Sequence, residues 1–485
     1  MPPRTAAIVL AAGKGTRMRS ARAKVLHEVL GRPMVNWIVQ SALDAGFAPV
    51  VVVVGHQREA VEHAVRREFP DAPIRFAHQA EQRGTGHAVQ CALDATAGAE
   101  AVAILSGDTP ALDAATLAHL EAARGERRAP LVVTTFEAPD PTGYGRVLRG
   151  ADGAIARIVE HADATPAERA VREVNAGLYL AERATLAEAL AALDSDNAQG
   201  ELYLTDAVAF VAGRGGHVAG HLLHDPLRVA GINTRAQLAM IERALLDRRL
   251  DALLDAGVTL LDRSSVRIEA AATVGEDTVL GPGVQLLGAT RVGAGCRVDT
   301  GSVLTDTTLA DGAHVKPYVV AEGATVGPGA EVGPFAHLRA GTDLGPKVKV
   351  GNFVETKKAR LGPGAKASHL SYLGDCEIGA EVNIGAGTIT CNYDGFDKHL
   401  TVIEDHVFIG SDTQLVAPVR VGHHAVVGAG TTVTRDVPAE ALVVTRAPLR
   451  EIPGYYERYR KPKEEAKRRA KAAAAPPTPA PEEGR

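Results

Sequence analysis

Two periodicities that no single domain carries together predict an α/β, Rossmann-like N-terminal domain, a linker helix and a C-terminal left-handed parallel β-helix of hexapeptide repeats. In the first part, short apolar runs at residues 6–10, 50–54, 102–105 and 131–136 alternate with helical spacing such as that of residues 34–45 and 59–68. Strands alternating with helices give a mostly parallel sheet covered on both faces. In the second part, aliphatic residues recur at every sixth position: Val274, Leu280, Leu286, Val292, Val298 and Leu304; Val320, Val326, Val332, Leu338, Leu344 and Val350; Ile378 and Ile384; Ile403, Ile409, Leu415, Val421, Val427 and Val433. A helix repeats at 3.6 and an exposed strand at 2, so a beat of six fits a triangular coil with one inward side chain per side. Glycine follows many of these positions, as at Gly275, Gly281, Gly327 and Gly428, and suits the corners.

Residues 237–256, rich in Leu, Arg and Asp, read as a helix between the halves. The expected organisation is therefore 1–232 for the α/β domain, 233–257 for the linker, 258–453 for the β-helix and 454–485 for a C-terminal arm and tail. The beat breaks at residues 390–400 and more weakly at 305–318, where a coil is expected to extrude a loop. Beyond Ile452 mixed charge and an alanine run precede a Pro/Ala/Glu tail, which reads as a partly helical arm ending in disorder.

Composition narrows the function classes. A chain of 485 residues with 46% hydrophobic content has ample material for two or three cores. A formal net charge of -5 argues against nucleic acid as a partner. Residues 5–12 are apolar enough for a signal core, but Gly13, Lys14, Gly15 and Arg17 interrupt them, so they read as a first strand. No stretch reaches the roughly 18 apolar residues of a membrane helix, and the expected location is the cytoplasm. Cys91, Cys296, Cys376 and Cys391 have no paired spacing, which fits a reducing compartment and offers no zinc site.

Directly after the first strand comes Leu10-Ala11-Ala12-Gly13-Lys14-Gly15-Thr16-Arg17-Met18, followed by Lys24. Glycines there let backbone N–H groups approach phosphates, and Arg17 and Lys24 supply cations for a triphosphate. Further on stand Gln79 to His87 with Gly84 and Thr85, then Ser106-Gly107-Asp108, Gly143-Tyr144-Gly145-Arg146, Glu160, Asn175-Ala176-Gly177 and Gly231-Ile232-Asn233. Singly, Asp108 also reads as a turn or cap residue, Glu160 as a solvated strand end and Asn175 as a turn former.

In this order the segments resemble the sugar-nucleotide pyrophosphorylases, a nucleotidyltransferase family. With the hexapeptide half, roughly residues 5–450 are similar to the family of bifunctional bacterial N-acetylglucosamine-1-phosphate uridylyltransferase/glucosamine-1-phosphate N-acetyltransferase enzymes. The resemblance implies that Leu10, Ala11, Ala12 and Gly13, with Gln79, Gly84 and Thr85, hold the uracil and ribose of UTP. Ser106 and Gly107 adjoin that site, Arg17 and Lys24 neutralise the phosphates, and Asp108 and Asn233 hold Mg2+. It also assigns Gly145, Glu160 and Asn175 to the sugar of N-acetylglucosamine 1-phosphate. Ser106 departs from the larger residue, such as Tyr, that the family often carries before its Gly-Asp pair.

Between Phe335 and Tyr393 the repeat carries a density of functional side chains: Arg339, Lys357, Lys358, His369, Tyr372, Asn383, Asn392 and Tyr393. Acetyl transfer to an amine needs a base, cations for a sugar phosphate and a groove for coenzyme A, and histidine titrates near operating pH. The resemblance makes His369 the base and assigns Arg339, Lys357, Tyr372 and Asn383 to glucosamine 1-phosphate. It places acetyl-CoA against Ala386, Asn392, Tyr393, Ser411, Ala429 and Arg446, and implies a homotrimer packed through the β-helix. Lys357 and Lys358 are adjacent, so only one enters a given pocket, and Lys357 is the expected one. The basic arm around Arg458, Lys461 and Lys463 reads equally as a solvated tail or a contact to a neighbour's CoA phosphates. Two other classes remain on the sequence alone: a nucleotidyltransferase whose β-helix serves only assembly, and a non-catalytic assembly subunit.

Overall fold

Runs of valine and alanine that are apolar on both faces can only be central strands, and they form the middle of the N-terminal sheet. The computed structural model describes residues 5–474. Thr5–Leu10 lies between Ala101–Ser106 and Val50–Val54 with parallel pairing on both sides, and Val50–Val54 pairs in parallel with Ile74–His78. On the other flank the long strand Glu173–Glu182 runs antiparallel to Ala101–Ser106 and to Leu131–Glu137, and Val218–Leu222 closes that edge. Helices Met34–Asp44 and Arg58–Glu68, close to their expected limits of 34–45 and 59–68, cover the faces together with Thr85–Leu93 and Ala114–Arg127. Two apolar clusters, one on each face of the sheet, complete the core. The ends of the central strands lead into the loops that carry Gly13, Gln79 and Asp108, the place where open α/β sheets bind ligands.

The helix Arg235–Asp255 begins with a reciprocal cap: the Thr234 hydroxyl accepts from Gln237 N–H while the Gln237 side chain accepts from Thr234 N–H. Its buried residues Ile241, Leu246 and Leu250 join Leu30 and Met34 of the first domain to the first coils of the second in one apolar cluster. A backbone bond from Ala270 N–H to Leu30 O ties the two parts directly.

From Thr259 onward the chain winds as the left-handed parallel β-helix that the six-residue beat predicts. One side stacks Val279, Arg297, His314, Glu331, Lys349, Lys366, Asn383, Phe408 and Val426 in register. Leu280, Leu286, Val298, Leu304, Ile409 and Leu415 are fully buried in the central column.

The strict beat fails in one respect. Several coils are one residue shorter than 18: Val292 pairs with Leu309 and Leu304 with Ala321. Val320 is therefore 38% exposed and Ala321 takes the inward place. Residues 305–318 extrude no loop, because Leu309 and Val315 resume the column after a tightened corner at Asp306. The other expected interruption is real: Asn383 pairs with Phe408, and the additional residues form a loop closed by the Tyr393–Lys398 bridge. Lys461–Ala473 is helical, as expected of the arm, while the disorder expected of residues 475–485 lies outside the described residues. No helix among the described residues is long and apolar enough to cross a membrane.

Leu304→Ala deletes a fully buried member of the column and is expected to cost about 3 kcal/mol. Urea unfolding reads this as a lower midpoint for the β-helix transition; an unchanged midpoint contradicts a packed column.

Candidate functional sites

In the N-terminal domain a cleft is lined by Leu10, Ala12, Gly13, Gln79, Gly84 and Thr85, six of the residues expected at a nucleoside, together with Gln82 and Glu201. Backbone proximity builds it. Gly84 has φ of 103°, and a Cβ there would stand 2.5 Å from the Leu202 carbonyl oxygen. Gly107 N–H donates to Leu10 O at 3.0 Å, and a Cβ on Gly107 would stand 2.7 Å from the same oxygen. Gln82, which sequence reasoning did not single out, donates its amide to Ala12 O at 2.6 Å and so pins the glycine loop from across the cleft. The side chain of Ala11 is buried and its N–H is engaged by Val53 O, so it contributes shape and no free donor.

At one end of this cleft the cations and the expected metal ligands converge. The Lys24 ammonium is ion-paired with Asp108 and donates to Asn233 Oδ1 at 2.7 Å. Arg17 donates to the same Asn233 oxygen at 2.9 Å. Gly15 permits this: its φ is 63°, and a Cβ would fall 2.4 Å from Lys24 Cβ. Asn233 directly precedes the capped linker helix, where its N–H donates to Gln237 Oε1 at 2.8 Å.

The expected sugar residues also meet. Asn175 N–H donates to Gly145 O at 2.9 Å, and a Cβ on Gly145 would lie 3.5 Å from Glu160 Oε1 and 3.6 Å from Asn175 Cβ. Asn175 sits at a register break in the long strand and donates its amide to Tyr179 OH at 2.6 Å. Burial, with Asp206 and Asp163 nearby, pushes the Glu160 carboxyl up from the ordinary carboxylate range, against a hydrogen bond from the Thr205 hydroxyl. Ser106 Oγ faces Gly177, 3.4 Å from where a Cβ would stand, so no bulk fills the place of a larger residue.

In the β-helix the stacking converts sequence spacing into columns. Arg339 and Lys357 occupy neighbouring coils on one side, with Tyr372 a coil further on. Arg339 pairs with Glu355 at 2.9 Å. The Lys357 ammonium is held below the ordinary lysine value, chiefly by Lys398 beside it and further by desolvation and Arg339, with Asp375 opposing. Three cations, Arg339, Lys357 and Lys398, thus share a surface with the carboxylates of Glu355 and Asp375. Lys398 arrives from the extruded loop, which is why spacing alone did not reveal it. Lys358 follows at a positive φ of 45° and is exposed, whereas Lys357 is half-buried on the outer face of the strand, next to the inward Thr356.

His369 stands at the corner between the Lys366–His369 strand and the strand of Tyr372. Asn352 lies directly beneath it, and Ala386, Ser411 and Ala429 follow at the same corner on later coils. Backbone bonds from Asp412 N–H to Ala386 O and from Gly430 N–H to Ser411 O hold that column, and Arg446 donates to Ala429 O at 2.6 Å. Asn392 is buried and donates to Asp375 Oδ2 at 2.5 Å, while Tyr393 is 60% exposed at the loop. Asn383 lies on the other side of the corner from Arg339, Lys357 and Tyr372, so one chain does not bring the four together on one face. Of the cysteines, Cys296 and Cys376 are buried and Cys91 and Cys391 half-buried, all unpaired. Among the described residues no group of three or more His, Cys, Asp or Glu side chains is arranged to hold a metal.

A glycine-lined cleft on an α/β sheet joined to a histidine-bearing hexapeptide β-helix defines a two-domain transferase, a nucleotidyltransferase fused to an acyltransferase. A family model described as MobA-like NTP transferase domain matches residues 7–257. A second, described as bacterial transferase hexapeptide (six repeats), matches residues 400–435. The Bifunctional protein GlmU of Sorangium cellulosum (strain So ce56) is 53% identical over 463 residues, 94% of this chain and 97% of that protein. That of Anaeromyxobacter sp. (strain Fw109-5) is 53% identical over 486 residues, 100% of this chain and 99% of its own. That of Trichlorobacter lovleyi is 50% identical over 445 residues, 92% and 96% respectively. The chain belongs to the family of bifunctional GlmU proteins, enzymes that unite nucleotidyl and acyl transfer.

Proposed function

We propose that the β-helix acetylates glucosamine 1-phosphate with acetyl-CoA and that the N-terminal domain then transfers UMP from UTP to the resulting N-acetylglucosamine 1-phosphate, releasing pyrophosphate. The observation that carries this reading is the presence on one chain of the converging set Arg17/Lys24/Asp108/Asn233 and of Arg339 and Lys357 on one side of the coil with His369 at its corner.

For uridylyl transfer the protein's task is positioning and charge neutralisation. Gln79, Gly84 and Thr85 hold the nucleoside while Gly145, Glu160 and Asn175 hold the sugar. The sugar phosphate oxygen attacks the α-phosphorus of UTP in line, and Arg17 and Lys24 neutralise the departing pyrophosphate. Asp108 and Asn233 are oxygen donors that already share one cation, the Lys24 ammonium, and the same hard donors suit Mg2+. Magnesium, when bound, offsets phosphate charge. For acetyl transfer, Arg339 and Lys357 hold the sugar phosphate, with Tyr372 and Asn383 at the sugar. His369 takes a proton from the amine as the nitrogen attacks the thioester carbonyl, and the CoA thiolate leaves along Ala386, Ser411, Ala429 and Arg446, with Asn392 and Tyr393 flanking. No covalent acetyl-enzyme is required.

The working form in this reading is a homotrimer in the cytoplasm. Asn383 and Arg339 stand on two sides of a convex corner, and a cleft between neighbouring β-helices would let such residues face one substrate. Beside that corner, Tyr318, Phe335 and Phe353 stack at centroid distances of 5.3 and 5.6 Å and are exposed. The partners are small molecules; neither nucleic acid nor membrane enters. The domain limits proposed are 1–232, 233–257, 258–453 and 454–485.

Asp108→Ala is expected to abolish UTP-dependent pyrophosphate release while acetyl transfer stays near the parent rate; equal loss of both contradicts separate sites. Because Lys24 sits where a metal would, Lys24→Met should raise nucleotide-free Mn2+ affinity about tenfold, the effect of removing roughly 1.4 kcal/mol of competition. Electron paramagnetic resonance titration measures this, and an unchanged affinity contradicts a shared position.

A further inference from the structure

We infer that Asn352 is a positioning residue for acetyl transfer, fixing which nitrogen of His369 is free to take the proton. The inference rests on the reading of His369 as the base. Asn352 and His369 are in-register partners on adjacent parallel strands, and Asn352 Oδ1 lies 2.9 Å from His369 Nδ1. An amide oxygen can only accept, so the ring nitrogen facing it carries the hydrogen and donates. The imidazole is thereby held as the Nδ1–H tautomer, with the Nε2 lone pair directed away from the ladder.

Several features hold this pair in place. Each member directly precedes a residue in the left-handed region, Phe353 at φ of 56° and Leu370 at 44°, so both leave their strands at the same corner. Leu370 N–H donates to Asn352 O at 3.1 Å and locks the two coils at that level. One residue earlier the coils approach so closely that a Cβ on Gly351 would fall 1.8 Å from the Ser368 carbonyl oxygen. The strand carrying Asn352 is thus pressed onto the strand carrying His369, and the side-chain bond follows from the backbone spacing.

The partner being an amide has a chemical consequence. A carboxylate in its place would stabilise the imidazolium and delay release of the proton, whereas an amide orients the ring and adds no full charge. The charged groups along the groove below are Lys316, Lys349 and Glu331. Glu331 is held between the two lysines at 2.9 and 3.0 Å, and their ammonium groups keep its carboxyl down at about 2. On the adjoining side stand Arg339 and Glu355, paired with each other.

The test compares full-length Asn352→Leu, Asn352→Asp and His369→Ala in acetyl transfer across pH. Asn352→Leu removes the acceptor at similar volume and is expected to lower kcat at least about tenfold with KM for both substrates within about twofold, since a freed ring spends time in the wrong tautomer. Asn352→Asp restores an acceptor and should recover most of kcat while moving the acid limb of the pH profile up by about one unit, the direction set by a carboxylate beside an imidazolium. A purely structural role would move KM, pyrophosphate release or the melting temperature and would leave the pH limb in place. If His369→Ala loses acetyl transfer while Asn352→Leu keeps its kcat, the positioning role is overturned and the base reading stands. If His369→Ala retains the rate, the base reading falls and this inference falls with it.

Discussion

The rest of the β-helix depends on one constraint: every coil must lie within hydrogen-bonding distance of the next with one small side chain per side pointing inward, aliphatic at most levels and threonine at Thr356 and Thr390. Each coil is then locked in register by its neighbours, and the buried column from Leu280 to Leu415 leaves no freedom to slide. Function follows from that rigidity. Residues far apart in sequence become vertical neighbours, so Asn352, His369, Ala386, Ser411 and Ala429 form one corner column and Arg339, Lys357 and Tyr372 one side. In the proposed reading of His369 as the base, the column of small residues beyond it would offer coenzyme A the extended, straight surface that so long an acyl donor needs.

The N-terminal cleft uses the same economy of backbone approach in a different architecture. Gly15 lets Lys24 reach Asp108 and Asn233, Gly84 seats against Leu202, and Gly107 lies against Leu10. At each position a methyl group would collide with atoms that the site needs where they are. The linker helix joins the two economies. Its capped N-terminus sets Asn233 in the first site, and its buried face continues the apolar cluster into the first coils of the second domain.

Much of this was legible in the sequence because both halves obey periodic rules. The alternation of valine runs with amphipathic segments gave the parallel sheet, the six-residue beat gave the coil, and the order of glycine and charged motifs gave the residues that line the first cleft. What was not legible depends on register. A strict beat assigns Val320 to the interior, but one-residue corner deletions shift the count and bring Ala321 inward. Lys398 reaches Lys357 only through the extruded loop, and Asn352 meets His369 only because the intervening coil has 17 residues. Lys24 between Asp108 and Asn233 is likewise a three-dimensional fact, since a motif names a phosphate ligand and a metal ligand without saying that they share a place before either arrives.

The central claim is that two sites on one chain perform consecutive steps. It is tested most directly by supplying the purified protein with glucosamine 1-phosphate, acetyl-CoA, UTP and magnesium while following free CoA thiol and pyrophosphate together. The account predicts that both appear, that thiol release comes first, and that no pyrophosphate forms when acetyl-CoA is omitted. Pyrophosphate that appears only when N-acetylglucosamine 1-phosphate is supplied, with no thiol released from acetyl-CoA, would contradict it and reduce the β-helix to a scaffold.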